Sequence, residues 1–105
     1  MAKAIKKTRN AATILRTLSE NHAKIKSYGV KRIGLFGSHL HGDATASSDL
    51  DFVVEFRKKS FDSYMSLKFY LQDLFNAEVD LVVPETIKPR LRPRILKEVV
   101  YAAGL

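Results

Sequence analysis

The 105-residue chain contains no cysteine and no apolar run long enough to cross a membrane. Without cysteine, disulfides and thiolate chemistry are excluded, which fits a reducing cytoplasm, and any bound metal must use oxygen or imidazole ligands. The basic N-terminus is not followed by an unbroken apolar segment, so no targeting or membrane segment is predicted. We therefore expect a cytoplasmic protein that does not contact a membrane.

Two nucleotide-binding fingerprints are also missing. No G-x-G-x-x-G occurs, which excludes the dinucleotide-binding fingerprint. Gly37 and Gly42 have the G-x4-G spacing of a P-loop, but Asp43 and Ala44 follow where that motif needs Lys and then Ser or Thr. A Walker-type NTPase is therefore excluded as well.

The composition, 46% hydrophobic and 28% charged, is that of an ordinary globular protein. Residues 1–105 are expected to form a single domain, too short to add a second domain that grips a substrate, and the basic segment 1–9 could be flexible. Eighteen Lys and Arg against eleven Asp and Glu give a net charge of +7. That charge allows a polyanionic partner such as RNA, but dispersed basic residues are also typical of a solvated surface.

Hydrophobic periodicity predicts the order helix, strand, strand, helix, strand, helix. The first helix is expected from Asn10 to Tyr28 with Asn10 as N-cap, the second from Phe61 to Phe75 with Ser60 or Asp62 as cap, and the last from Pro93 through Ala103. The strands are expected at 30–36, 50–56 and 78–83. This order indicates a small α/β or α+β domain with helices backing one face of a short sheet.

The opposite face of the sheet carries carboxylates. Asp49 and Asp51 share one face of the second strand, and Asp80 lies on the polar face of the third strand. Like charges two residues apart on one strand face repel, and a bound divalent cation reverses that cost. Three oxygen ligands would suit magnesium. Taken alone, the Asp49 and Asp51 pair is also what an ordinary solvated strand face shows.

The segment that leads to these aspartates carries a resemblance. Its pattern G-S-x3-G-x5-S-D-x-D resembles the signature of the minimal nucleotidyltransferases (MNT domains) of the DNA polymerase β superfamily, and it is formed by Gly37, Ser38, Gly42, Ser48, Asp49 and Asp51. LFGS at the start, EVDLVV with Asp80 and the tail KPRLRPRILKEVVYA extend the resemblance over most of the chain from Ala12. The resemblance implies an α+β fold like the polymerase β palm, with a short mixed sheet.

The same resemblance implies nucleotidyl transfer, in which a hydroxyl attacks the α-phosphate of a nucleoside triphosphate. Asp49 and Asp51 would hold two Mg²⁺ ions, and Asp80 would bind the ion nearest the attacking hydroxyl and help to deprotonate it. The nucleotide side of the site would be formed by Gly37, Ser38, His39, Gly42 and Ser48.

The resemblance to family members of this size also implies a partner protein, a helical RNase toxin of the HEPN class. The chain would act as its antitoxin by transferring AMP from ATP to a hydroxyl of the toxin, that of a tyrosine. One departure from the family is that His39 and His41 stand where an arginine is common, and neutral histidine is the weaker phosphate ligand at pH 7. A non-catalytic binding antitoxin, and RNA as acceptor or ligand, remain the alternatives.

Overall fold

The computed structural model describes residues 10–37, 49–58 and 60–104. In chain order the elements are α1 (Ala11–Glu20), α2 (His22–Lys26), β1 (Val30–Phe36), β2 (Leu50–Phe56), α3 (Phe61–Phe75), β3 (Val79–Val82), a 3-10 helix (Pro84–Thr86), α4 (Arg92–Glu98) and β4 (Val100–Tyr101). None of the helices in these ranges is both long and apolar enough to cross a bilayer.

The strands form one four-stranded mixed sheet in the order β3-β2-β1-β4. Strand β1 is antiparallel to both β2 and β4, whereas β2 and β3 are parallel. Parallel neighbours need a crossover connection, and α3 supplies it between β2 and β3. The predicted α+β class with a short mixed sheet is therefore confirmed.

The helix ends follow local capping chemistry. The Asn10 side chain accepts a hydrogen bond from the Thr13 amide at 2.9 Å, as predicted for the first helix. Of the two candidate caps for α3, Ser60 takes the role, because its hydroxyl accepts from the Ser63 amide at 3.1 Å. At its other end α3 stops at Asn76, whose left-handed backbone is one that asparagine tolerates.

Helices α1 to α3 pack on one face of the sheet and enclose the hydrophobic core there. The fully buried side chains are Ile14, Leu18 and Ile25 from α1 and α2, Leu67 and Leu71 from α3, and Val30, Ile33, Leu35, Leu50, Phe52 and Val54 from the sheet. Their burial is the main favourable term in the stability of the fold. The prediction that helices back one sheet face is confirmed.

The first helix was predicted as a single element from Asn10 to Tyr28, and this is wrong in detail. The chain turns at Asn21 and begins again as α2. The Asn21 side-chain amide donates to the Thr17 carbonyl at 2.8 Å, a local bond that competes with the helical pattern. Because Ile25 still reaches the core, the apolar periodicity continues across the break and hides it in the sequence.

The last helix was predicted to continue through Ala103, but α4 ends at Glu98. Val100 and Tyr101 form β4 instead, opposite Leu35 and Gly34, and the Ala102 amide donates to the Ile33 carbonyl at 2.9 Å. β-Branched and aromatic residues favour a strand where a sheet edge is available to pair with them. The third strand was also predicted one residue too long at each end, since β3 covers only Val79–Val82.

Other parts of the chain cover one half of the sheet face that carries the acidic residues. Val53 shares this face with Asp51, yet its side chain is completely buried. Gly34, its register partner on β1, has no room for a Cβ because the Val99 side chain and the Tyr101 ring lie against it. The segment after β3 therefore closes this half of the face, while Asp80, at the other half, is exposed.

Candidate active site

Asp51 and Asp80 are direct partners in the parallel register of β2 and β3. Neighbouring strands lie about 4.8 Å apart, so the two side chains emerge next to each other on the same face. Asp49 comes two residues before Asp51, immediately ahead of β2, and alternation directs it to that face too. Asp49 and Asp80 are exposed, whereas Asp51 is partly buried. The fold thus places the three aspartates that the sequence singled out on one face of the sheet, with Asp51 and Asp80 as register partners.

The electrostatic state of Asp51 reflects these neighbours. Burial, together with smaller contributions from the charges of Asp80 and then Asp49, raises the pKa of the Asp51 carboxyl to about 6. A carboxyl with this pKa holds a proton more tightly than an ordinary aspartate because its surroundings disfavour the negative charge. A cation placed among the three carboxylates would remove that penalty.

Gly37 directly follows β1, which flanks β2 on the side opposite to β3. Its backbone lies against the Asp51 carboxylate. A Cβ built on Gly37 would collide with the Asp51 Oδ2 atom and would lie 3.1 Å from Asp51 Cγ. Gly37 also has a φ of +84°, a conformation that side chains strongly disfavour. Two independent constraints therefore require glycine here, and one of them is the space that the carboxylate occupies.

The donor chemistry of the three aspartates fits a hard divalent cation such as Mg²⁺, which prefers carboxylate oxygens completed by water and substrate oxygens. The Asp51 carboxylate occupies the space that a Cβ on Gly37 would fill, so glycine at this position lets the carboxylate lie where it does. As the side chains stand, however, no three carboxylate or imidazole groups within residues 10–37, 49–58 and 60–104 are gathered closely enough to enclose an ion. Side-chain rotation would be needed to bring Asp49 and Asp80 towards an ion on Asp51.

The other predicted site residues, Ser38, His39, Gly42 and Ser48, lie outside the described residues, as does His41. The described part of the predicted nucleotide-binding segment is therefore Gly37 alone. The segment leaves β1 at Gly37 and enters β2 after Asp49, so both of its ends are next to Asp51 in the sheet.

One contact near the site carries no signal in the sequence. The Tyr64 hydroxyl, on α3, donates to the Leu81 carbonyl at 2.6 Å, one residue beyond Asp80. Helical spacing identifies Tyr64 only as a residue that packs on the core, which it also does. The contact depends on how α3 crosses β3, and periodicity within one element does not encode that crossing.

Two surface pockets lie away from the aspartates. The first, of about 460 Å³, opens between the start of α3 and β3 and is lined by Ser60, Phe61, Tyr64, Leu81, Val83 and Thr86. The second, of about 330 Å³, lies between the 3-10 helix and the end of β2 and includes Glu55. Neither is lined by Asp49, Asp51 or Asp80, so the candidate site rests on its carboxylates and on Gly37 rather than on a closed cavity.

Comparison with known proteins identifies what this arrangement resembles. A family model described as a nucleotidyltransferase domain matches residues 12–102. The protein adenylyltransferase MntA of Thermococcus cleftensis is 39% identical over 75 residues, which are 70% of this chain and 76% of that protein. A relative in Methanocaldococcus jannaschii is 36% identical over 99 residues, 83% of this chain and 99% of that protein.

Solved structures share the fold. A structure of a minimal nucleotidyltransferase superposes with a TM-score of 0.67 at 33% identity, covering 82% of this chain and 93% of that one. A complex of tri-AMPylated Shewanella oneidensis HEPN toxin with MNT antitoxin matches with a TM-score of 0.60 at 19% identity, covering 87% of this chain and 73% of that one. A toxin–antitoxin structure with AMP-PNP has a TM-score of 0.65 at 21% identity, covering 83% and 73%.

Proposed function

Because this chain belongs to the nucleotidyltransferase domain family, we propose that it transfers AMP from ATP to a tyrosine hydroxyl of a HEPN-type toxin and thereby acts as its antitoxin. The family establishes a nucleoside triphosphate substrate and a divalent metal in general terms. The finer statement draws on the relative named protein adenylyltransferase and on the MNT antitoxin complex. The observation that carries the proposal is the register of Asp51 with Asp80 beside the Cβ-free backbone of Gly37.

In the proposed reaction the acceptor oxygen forms a bond to the α-phosphorus, and the bond from that phosphorus to the bridging oxygen of pyrophosphate breaks. AMP stays on the acceptor, pyrophosphate leaves with the electron pair, and the hydroxyl proton is taken up by Asp80 or by water. We assign Asp49, Asp51 and Asp80 to two Mg²⁺ ions. When bound, such ions stabilise the negative charge that develops on the attacking and leaving oxygens.

From the positions of the chain's own residues, we assign one side of the site to the acceptor and the other side to the triphosphate. Asp80 lies on the edge strand, so we assign it to the side from which a protein acceptor approaches. Gly37 follows β1, on the other side of Asp51 from Asp80, and we assign it to the triphosphate through its backbone N–H group. Ser38, His39, Gly42 and Ser48 are proposed to complete the phosphate side through hydroxyl, imidazole and backbone groups.

The decisive test uses ATP labelled at the α-phosphate, Mg²⁺, the purified chain and the co-expressed product of the neighbouring gene. We expect label on that protein, resistant to RNase, and none from ATP labelled at the γ-phosphate. The Asp49→Asn, Asp51→Asn double variant is the control, and it should fold but transfer no label. Equal labelling by the double variant would contradict the assignment of these aspartates, and label removed by RNase would make RNA the acceptor.

A second candidate function is an antitoxin that neutralises its partner by contact alone. It is favoured by one observation: in the described residues the aspartates are not gathered around a common point. The same double variant separates the two functions. A variant that still protects cells from the co-expressed toxin would support neutralisation by contact, whereas loss of protection together with loss of label would support neutralisation by AMP transfer.

A further inference from the structure

Asp80 lies on β3, a short edge strand of the sheet. Strand β3 has four residues and, in the part of the chain that the structure describes, forms one edge of the sheet and pairs only with β2. A short parallel edge strand has hydrogen bonds on one side only, and parallel pairing is slightly less stable per residue than antiparallel pairing. The position of the Asp80 carboxylate relative to Asp51 therefore needs a second source of restraint.

The direction of the peptide groups shows where such a restraint can act. The Glu78 carbonyl accepts from the Leu50 amide at 3.0 Å, so the peptide groups of Glu78 face β2. Because these groups alternate along a strand, those of Asp80 also face β2, whereas those of Val79 and Leu81 face outward. The two residues that flank Asp80 thus offer their peptide groups to the open edge.

Helix α3 reaches both of these outward positions. The Tyr64 hydroxyl donates to the Leu81 carbonyl at 2.6 Å, and the Gln72 Oε1 atom accepts from the Val79 amide at a longer 3.4 Å. The Tyr64 ring packs on the core, and burial, with a smaller contribution from the Asp80 charge, raises the pKa of its hydroxyl. The group is therefore a protonated donor at neutral pH, held by a 15-residue helix that is capped at its start.

We propose that Tyr64, assisted by Gln72, is a positioning residue that fixes β3 from its open edge and so holds Asp80 beside Asp51 for nucleotidyl transfer. This inference rests on the proposed function and adds a role for α3. It differs from simple packing in that the hydroxyl donates a hydrogen bond to the strand backbone, in addition to the packing of the ring on the core. The hydroxyl also occupies the Leu81 carbonyl, an edge group that could otherwise pair with another chain.

The test replaces Tyr64 with Phe, which keeps the ring and removes the hydroxyl, and uses Tyr70→Phe as the matched control. Tyr70 lies on the same helix and packs on the core, but its ring contacts Tyr28, with centroids 5.6 Å apart, rather than β3. At a temperature where both variants are fully folded, we expect Tyr64→Phe to lower kcat about 5- to 10-fold. KM for ATP should stay unchanged, and Tyr70→Phe should match the unaltered protein in both constants.

A second readout does not depend on transfer. Mn²⁺ affinity, followed by electron paramagnetic resonance, should fall about 5- to 10-fold in Tyr64→Phe and stay constant in Tyr70→Phe. If Tyr64→Phe lowers only the melting temperature and leaves kcat and Mn²⁺ affinity unchanged, the positioning role is wrong. Absence of transfer in the unaltered protein would instead count against the proposed function, and the Mn²⁺ comparison would still decide the role of Tyr64.

A further variant covers the case in which Tyr64→Phe fails to fold. Gln72→Leu removes the longer contact to the Val79 amide and keeps the size of the side chain close to that of glutamine. We expect a reduction in Mn²⁺ affinity and kcat in the same direction as for Tyr64→Phe but smaller, because a bond of 3.4 Å is weak. Unchanged values in a folded Gln72→Leu protein, with Tyr64→Phe unfolded, would overturn the proposal.

Discussion

Two carboxylates at opposite ends of the acidic sheet face have opposite electrostatic surroundings. Glu55 and Asp51 project from the same face of β2, four residues apart. Glu55 is paired with Arg32 at 3.0 Å, and the guanidinium lies 4.1 Å from the centre of the Tyr101 ring. Asp51 has a second carboxylate, Asp80, as its register partner, and no cation among the described residues forms an ion pair with it.

This difference separates a structural carboxylate, Glu55, from Asp51, to which we assign a functional role. Glu55 links β1 and β2 through Arg32, and its charge is neutralised within the fold. Asp51 is held where burial and like charge oppose ionisation, an arrangement that lowers stability unless a cation binds. Sites that bind ligands commonly keep such unfavourable arrangements, because the ligand supplies the missing interaction.

The largest expected effect concerns the glycine at the functional end. Gly37→Ala should lower AMP transfer by roughly 10- to 100-fold, because the added methyl group collides with the Asp51 carboxylate. Gly29→Ala is the matched control, since Gly29 has a φ of +86° but its Cβ would meet only the Lys58 carbonyl at 3.8 Å. Both variants should lose about 1 kcal/mol of folding stability from the left-handed conformation.

Transfer assays and denaturant unfolding on the two glycine variants check this prediction together. Equal loss of transfer in Gly29→Ala and Gly37→Ala would show that backbone strain alone is responsible. In that case the contact between Gly37 and Asp51 would have no special role, and the contrast between the two ends of the face would be weakened.

Features that are set within one helix or strand can be predicted from the sequence, whereas features that depend on contacts between distant parts of the chain cannot. Asp49, Asp51 and Asp80 are recognisable because strand alternation within one element sets their face, and Asn10 and Ser60 because caps are local. The pairing of Asp51 with Asp80 requires the order of the strands. That order is a property of the whole chain.

Other features of the fold escape sequence patterns for the same reason. Val100 and Tyr101 fit a helix by periodicity and form β4 only because the edge of β1 is open beside them. Arg32 and Glu55 are 23 residues apart, and their ion pair exists only in the β1–β2 register. Tyr64 likewise meets Leu81 only through the packing of α3 on the sheet.

The next prediction is that one substitution in the site, Asp51→Asn, raises the stability of the protein instead of lowering it. In the protein without divalent ions, the pKa of Asp51 is raised from 3.8 to about 6 on folding. The folded state therefore binds the proton more tightly, so the stabilising contribution of this group is complete below the unfolded pKa and is lost as pH rises through about 6. Asp51→Asn removes the charge that causes this loss.

We therefore expect Asp51→Asn to be more stable than the unaltered protein at pH 7 by about 1 kcal/mol, after allowing for solvent screening of a partly exposed group. Near pH 3.5 the difference should vanish, because both side chains are then neutral. Urea unfolding at the two pH values, in EDTA, measures it. A variant less stable than the unaltered protein at pH 7 would mean that Asp51 contributes to the fold as Glu55 does.

The smallest expected effect belongs to the structural end. Glu55→Gln and Arg32→Gln should each lower the free energy of unfolding slightly, with a coupling between them of about 0.2–1 kcal/mol, because both side chains are partly exposed. The coupling should shrink in 1 M salt, where charges are screened over about 3 Å. Transfer of AMP should be unchanged, since neither residue is placed in the site. A double-mutant cycle at low and high salt measures the coupling, and a coupling of zero would mean that the ion pair contributes nothing measurable to stability. A loss of transfer in Glu55→Gln would be more serious, because the two ends of the face would then act as one charged network rather than as a structural end and a functional end.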